Sequence, residues 1–174
     1  KSLPKAREDL KELTAYAREK YGINEIRPWD TRFLSEQLRQ EKYAVSEEEL
    51  RPYFPMDKVL VGMFDVVERL FGIRVQRAVA PDHWHDDVLF FEIFRDQDRI
   101  ARFYVDPFAR PHKQGGAWMN DCRVRRESGN FLQLPAAFLT CNFTPPVGDV
   151  PALLTHSEVV TLFHEFGHGL HHML

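Results

Sequence analysis

Apolar residues recur at helical spacing at both ends of this chain and alternate in its middle. In the first third, Leu10, Leu13, Tyr16 and Ala17 fall on one side of a segment introduced by Leu3-Pro4 and stopped by Gly22, which predicts a helix over 5–21. Pro28-Trp29-Asp30 sets up a second helix over 31–41, with Asp30 as its N-cap. Ser46-Glu47-Glu48-Glu49 has the form of a capping box and opens a short helix that ends near Arg51-Pro52. A longer helix over 56–71 follows Pro55 and closes at Gly72. Its positions Val59, Leu60, Met63, Val66, Val67 and Leu70 make a broad apolar stripe that must pack against something.

The period then changes. Residues 74–79 and 88–95 alternate, and 99–105 is rich in aromatic and β-branched residues, so all three read as strands, the last two joined by a turn at Asp96-Gln97-Asp98. Residues 117–125 add a further strand. The apolar run 134–143 reads as another, with Pro135 at its start, where a missing N–H is tolerated. Gly, Pro and Ser-Gly-Asn punctuation marks 110–116 and 127–130 as loops. Helical spacing returns at the end. Thr155-His156-Ser157-Glu158 is a capping box, Val159, Leu162, Phe163, Phe166, Leu170 and Met173 form a buried face, and His164, His168 and His171 lie on a neighbouring one. The expected fold is α+β: helices over 1–72, a small, mainly antiparallel sheet over 73–145, and a final helix over 155–174, all within one domain.

Composition narrows the function classes. The 174 residues are 44% hydrophobic and 28% charged with a net charge of −3, which suits a soluble globular domain and offers no basic excess for nucleic acid. Arg123, Arg125 and Arg126 are too small a cluster for a phosphate footprint and read as a solvated strand face. No apolar run approaches the ~20 residues that span a bilayer. Cys122 and Cys141 lack C-x-x-C spacing and fit reduced thiols, which points to the cytoplasm. His83-Trp84-His85, flanked by Pro81-Asp82 and Asp86-Asp87, reads as a polar loop, and His112 falls in another. There is no Gly-rich phosphate loop and no G-x-S-x-G elbow.

The chemistry concentrates in His164-Glu165-Phe166-Gly167-His168, an H-E-x-x-H run within the last helix. Residues four apart share a helix face, so the two imidazoles can hold one Zn²⁺ with Glu165 beside them as general base. Catalytic zinc usually takes a third protein ligand. His171 shares the face but sits ~10 Å further along the axis than His164, whereas two nitrogens on one ion must lie within ~4 Å of each other. His171 is therefore left to support the ligands from behind or to pack. A metzincin would need Gly at 171 and His at 174, where this chain has His171 and Leu174. A His-His-Glu or His-His-Asp site remains, with its third ligand expected beyond Leu174.

These residues resemble the signature of the thimet oligopeptidase family of zinc metallopeptidases, through the run from His164 to His171. The likeness extends upstream: Arg102-Phe103-Tyr104-Val105-Asp106-Pro107-Phe108-Ala109-Arg110 is similar to that family's F-Y-x-D-x-x-x-R strand and loop, Lys113-Gln114-Gly115-Gly116-Ala117 to its glycine-containing loop, and the stretch from Ala136 to Phe143 with Pro145-Pro146 to the strand that leads to its active helix. The resemblance implies a mostly helical parent with a small sheet beside a deep channel, of which these residues are a partial catalytic domain truncated at both ends. It implies cleavage of short peptides, zinc as cofactor, His164 and His168 as ligands, Glu165 as catalytic base, and a Glu beyond Leu174 as third ligand. The competing expectation is a folded but non-catalytic fragment that binds zinc weakly and serves at most as a peptide-binding or interaction module. An edge of the sheet, formed by 134–143 or its neighbour, is expected to hold the peptide extended.

Overall fold

The computed structural model describes residues 2–44 and 46–174, which fall into two compact units, 1–50 and 51–174. The first is a helical pair. Helix α1 (Leu3–Tyr21) starts with Pro4 in its first turn, where no N–H is required, and ends at Gly22, whose φ of 66° lets Gly22 N–H reach the Arg18 carbonyl and Ile23 N–H the Ala17 carbonyl. Helix α2 (Pro28–Tyr43) packs against it by burying Leu34 on Leu13 and Ala17. Leu10, expected on the buried side, is exposed, because two short helices cover only the line through Leu13 and Ala17. Asp30 is not the N-cap. Pro28 already supplies a helical φ at the first position, so α2 begins three residues earlier than expected, and the Asp30 carboxylate reaches back to accept the Arg27 N–H at 3.0 Å. The Ser46–Glu49 capping box forms as expected and opens α3 (Glu47–Leu50).

The second unit is a sheet with two helices on one face. After a 3₁₀ turn at Arg51–Tyr53, α4 runs Met56–Phe71 and stops at Gly72 with φ 62°. The strands are β1 (Arg74–Arg77), β2 (Leu89–Arg95), β3 (Asp98–Phe108), β4 (Trp118–Arg123) and β7 (Ala136–Phe143), in the order β1-β2-β3-β7-β4. Every pairing is antiparallel except β3–β7. The α+β expectation is met. The β2–β3 turn is the two-residue Asp96-Gln97 loop, with Asp96 at φ 54°, a conformation Asp tolerates better than most residues. Residues 126–133, half of which punctuation marked as loop, instead fold back as a small hairpin of β5 (Arg126–Ser128) and β6 (Phe131–Gln133), turned at Gly129. The strand expected to offer an edge, β7, lies inside the sheet. Its neighbour β4 is the edge.

Alternation puts Phe91, Ile93, Ala101, Phe103, Val105, Ala137, Leu139, Cys141 and Phe143 on the face that receives α4 and the last helix, α5 (His156–Met173). Phe64 of α4 and Phe166 of α5 meet over Phe103, with ring centroids 5.4–6.3 Å apart. Each fully buried side chain of this size stabilises the fold by ~1.5–3 kcal/mol. The helices' apolar faces are narrower than their sequence stripes. On α4, Val66 at the margin and Leu70 in the last turn are exposed, and so is Phe163 at the margin of α5. None of the described helices is long and apolar enough to cross a membrane.

Candidate metal centre and its supports

The last helix is placed by local rules first. Thr155 accepts the Glu158 N–H at 3.1 Å and donates its own N–H to the Glu158 carboxylate at 2.8 Å, so the capping box fixes where α5 starts. Just before it, Leu154 N–H binds the Phe54 carbonyl and Met56 N–H binds the Ala152 carbonyl, which clips the entry of α5 to the entry of α4. Leu162, Phe166, Leu170 and Met173 then sink into the core.

On the opposite side His164 and His168 are exposed, with their Nε2 atoms 3.1 Å apart and their rings near perpendicular at 84°. Two nitrogens bound tetrahedrally at ~2.0–2.1 Å to one ion would be separated by ~3.3 Å. The separation and the donor chemistry therefore fit a shared zinc. Among the described residues no group of three or more His, Cys, Asp or Glu side chains is placed to hold a metal.

Glu165 lies between the two imidazoles in sequence but at the margin of the helix's buried side, 9% exposed. No hydrogen-bond donor among the described residues reaches its carboxylate. Its charge is felt at Cys141, whose thiol is pushed up to about 12, first by burial and then by Glu165. Cys141 belongs to β7, so the carboxylate lies on the side of α5 that faces that strand.

Two contacts bring α5 onto β7 and β4. A Cβ added at Gly169 would stand 3.3 Å from Leu139 Cδ1 and 3.7 Å from Met119 Cγ, so the absence of a side chain allows the close approach. Three residues on, His172 donates from Nε2 to the Arg123 carbonyl at 2.9 Å. His171, singled out by its shared face, is exposed and makes no hydrogen bond, ion pair or ring contact among the described residues. His172 was the residue sequence reasoning missed, and it carried no signal, since nothing local reveals that the end of β4 passes beneath it.

A second cluster lies where β3 ends. Asp106, 3% exposed, accepts two hydrogen bonds from Arg110 at 2.6 and 2.7 Å, one from Lys113 at 2.9 Å and one from the Trp84 indole at 2.9 Å. Burial alone would raise its pKa, but the Arg110, Lys113 and Trp84 hydrogen bonds outweigh that and hold it at about 2. Lys113 also donates to the Asp106 and Phe108 carbonyls at 3.0 and 2.7 Å, and Asn142 donates to the Gln114 and Gly116 carbonyls at 2.8 and 2.6 Å. The connection that feeds β4 is thus pinned from both sides. The loop 81–87 holds His83 and His85 beside Asp86 and Asp87 at 3.8 and 3.5 Å, a polar loop as expected.

Comparison with known proteins gives the chain's family. The chain is 49% identical to oligopeptidase A of Haemophilus influenzae over 98% of its own length and 25% of that protein's. It is 44% identical to a probable cytosolic oligopeptidase A of Arabidopsis thaliana over 96% of the chain and 25% of that protein. It is also 44% identical to a dipeptidyl carboxypeptidase of Salmonella typhimurium over 84% of the chain and 22% of that protein. The chain thus spans about a quarter of the length of these relatives. The model of peptidase family M3 matches residues 1–174, the whole chain, and the chain belongs to that family.

Proposed function

We propose that the complete protein is a zinc-dependent metalloendopeptidase that hydrolyses short peptides in the cytoplasm. The observation that carries this is the 3.1 Å separation of the His164 and His168 Nε2 atoms on one exposed helix face. These two imidazoles would hold the ion, with a Glu beyond Leu174 completing the set. Zinc, when bound, supplies a Lewis acid for the scissile carbonyl and a lowered pKa for water. Glu165, with no donor among the described residues to occupy its oxygens, accepts the proton of the attacking water and passes it to the leaving amine. Among the described residues the edge strand β4 pairs only with β7, so its other side can receive an extended peptide through backbone hydrogen bonds. The cytoplasmic assignment draws on the cytosolic relative.

The 174 residues alone form a weaker case. Two imidazoles are one short of the three protein ligands usual for catalytic zinc, which favours weak metal binding and little cleavage by this piece in isolation. The test is cleavage of a quenched short peptide by the complete protein and by the 174-residue piece. The complete protein should lose activity to a chelator and regain it with added Zn²⁺. Activity that survives exhaustive chelation would refute the metal-dependent reading, and parental rates from the isolated piece would refute the requirement for a distant ligand.

A further inference from the structure

Glu165, Gly169 and His172 occupy positions i, i+4 and i+7 of α5 and so form one stripe along the helix. Gly169 lies over Leu139 of β7 with Met119 of β4 next to it, and His172 binds the Arg123 carbonyl at the end of β4. The stripe that carries the proposed base thus runs over β7 and reaches β4, one of the sheet's two edge strands.

The end of that edge needs support. The register of β4 against β7 shifts between Asp121, which pairs with Ala137, and Arg123, which pairs with Ala136, so Cys122 is an extra residue in the strand. Bulges bend an edge strand and end its pairing, and the chain leaves for β5 three residues later. At the other end, Asn142 and Lys113 already fix the loop that enters β4. The exit is held to the helix by His172. Because a carbonyl can only accept, Nε2 of His172 must carry the proton in this contact.

We propose that His172 is a positioning residue for substrate binding, whose hydrogen bond to the Arg123 carbonyl fixes the bulged end of the edge strand against α5 and so keeps that edge in the geometry that pairs with an extended peptide. The inference rests on the peptidase function and the edge-bound peptide proposed above. A group that only stabilised the fold would change melting temperature and not the kinetics of the folded enzyme. A positioning group changes KM for extended peptides while leaving proton transfer at Glu165, and so kcat, nearly intact.

The experiment uses the complete protein with three substitutions. His172→Phe keeps a ring but removes the donor, His172→Asn is too short to reach the carbonyl, and His172→Gln keeps an N–H within reach. Steady-state kinetics on a quenched peptide, thermal melting and zinc content are read for each. Loss of one such hydrogen bond corresponds to ~3–10-fold. We expect KM to rise by that factor in the Phe and Asn variants, kcat and zinc content to stay within ~2-fold, and Gln to restore KM. Should the Phe variant fail to fold, the Asn and Gln pair carries the same contrast. Wild-type KM in folded Phe or Asn variants, or a Gln variant that behaves like Asn, overturns the inference and leaves the peptidase reading standing. A wild-type complete protein that cleaves no peptide overturns both.

Discussion

Asp106 and Glu165 are both nearly closed off from solvent, at 3% and 9% exposure, yet their surroundings are opposite. Asp106 receives four side-chain hydrogen bonds, three of them from cations, and is locked in its ionised form. Glu165 receives none from the described residues and stands beside two exposed imidazoles. Burying a carboxylate is costly unless it is paired. Where every lone pair is satisfied, the group holds loops together. Where they are left open at the rim of a helix, the group is available for proton traffic. The difference separates a fastener from a candidate base without reference to any known relative.

The contrast can be broken most forcefully at Glu165. In the complete protein, Glu165→Gln is expected to lower kcat by at least ~10²–10⁴-fold, with a melting temperature at or above that of wild type because an unpaired buried charge is removed. Unaltered peptide cleavage would show that the open carboxylate is not the base. At Asp106 the ranking reverses. Asp106→Asn leaves the Arg110 and Lys113 cations facing a neutral amide, and denaturant unfolding should show a loss of about 3 kcal/mol. A stability loss below ~0.5 kcal/mol would mean that the cluster holds nothing. The smallest effect comes from acid. Because the Asp106 pKa falls from 3.8 to about 2 on folding, its contribution is complete above pH ~4 and fades as pH drops through 2. That contribution is on the order of 2 kcal/mol, so wild-type protein should lose that much stability over the interval relative to Asp106→Asn. Parallel acid unfolding curves for the two proteins would contradict the assignment.

The sequence revealed what depends on neighbours in the chain. The Thr155–Glu158 capping box and the stops at Gly22 and Gly72 follow from contacts within a few residues and formed as expected, and the turn expected at Asp96-Gln97-Asp98 formed one residue shorter, with Asp98 already in β3. The helical stripes were legible in phase but not in width. Val66, Leu70 and Phe163 match the period yet lie outside the face that the sheet covers, and periodicity carries no information about how much surface a partner occupies. Strand order was invisible for a similar reason. An apolar strand such as 136–143 announces burial on both faces, but only the non-local pairing with β3 and β4 makes it internal and leaves β4 as the edge. At the site itself, the spacing of His164, Glu165 and His168 was enough to nominate them, because a helix brings i and i+4 together without outside help. The contact of His172 was not legible, because it turns on where a strand 49 residues earlier comes to lie. Asp106 stands out in the sequence only as part of a motif, and its four donors come from segments up to 22 residues away.

Zinc K-edge absorption spectroscopy of the complete protein tests the central claim most directly. The expected zinc shell contains two imidazole nitrogens at ~2.0–2.1 Å, and His164→Ala and His168→Ala, each left one ligand short, lose most of the bound zinc, any that stays showing a single imidazole. A shell without imidazole scattering, or one that neither substitution alters, would contradict it.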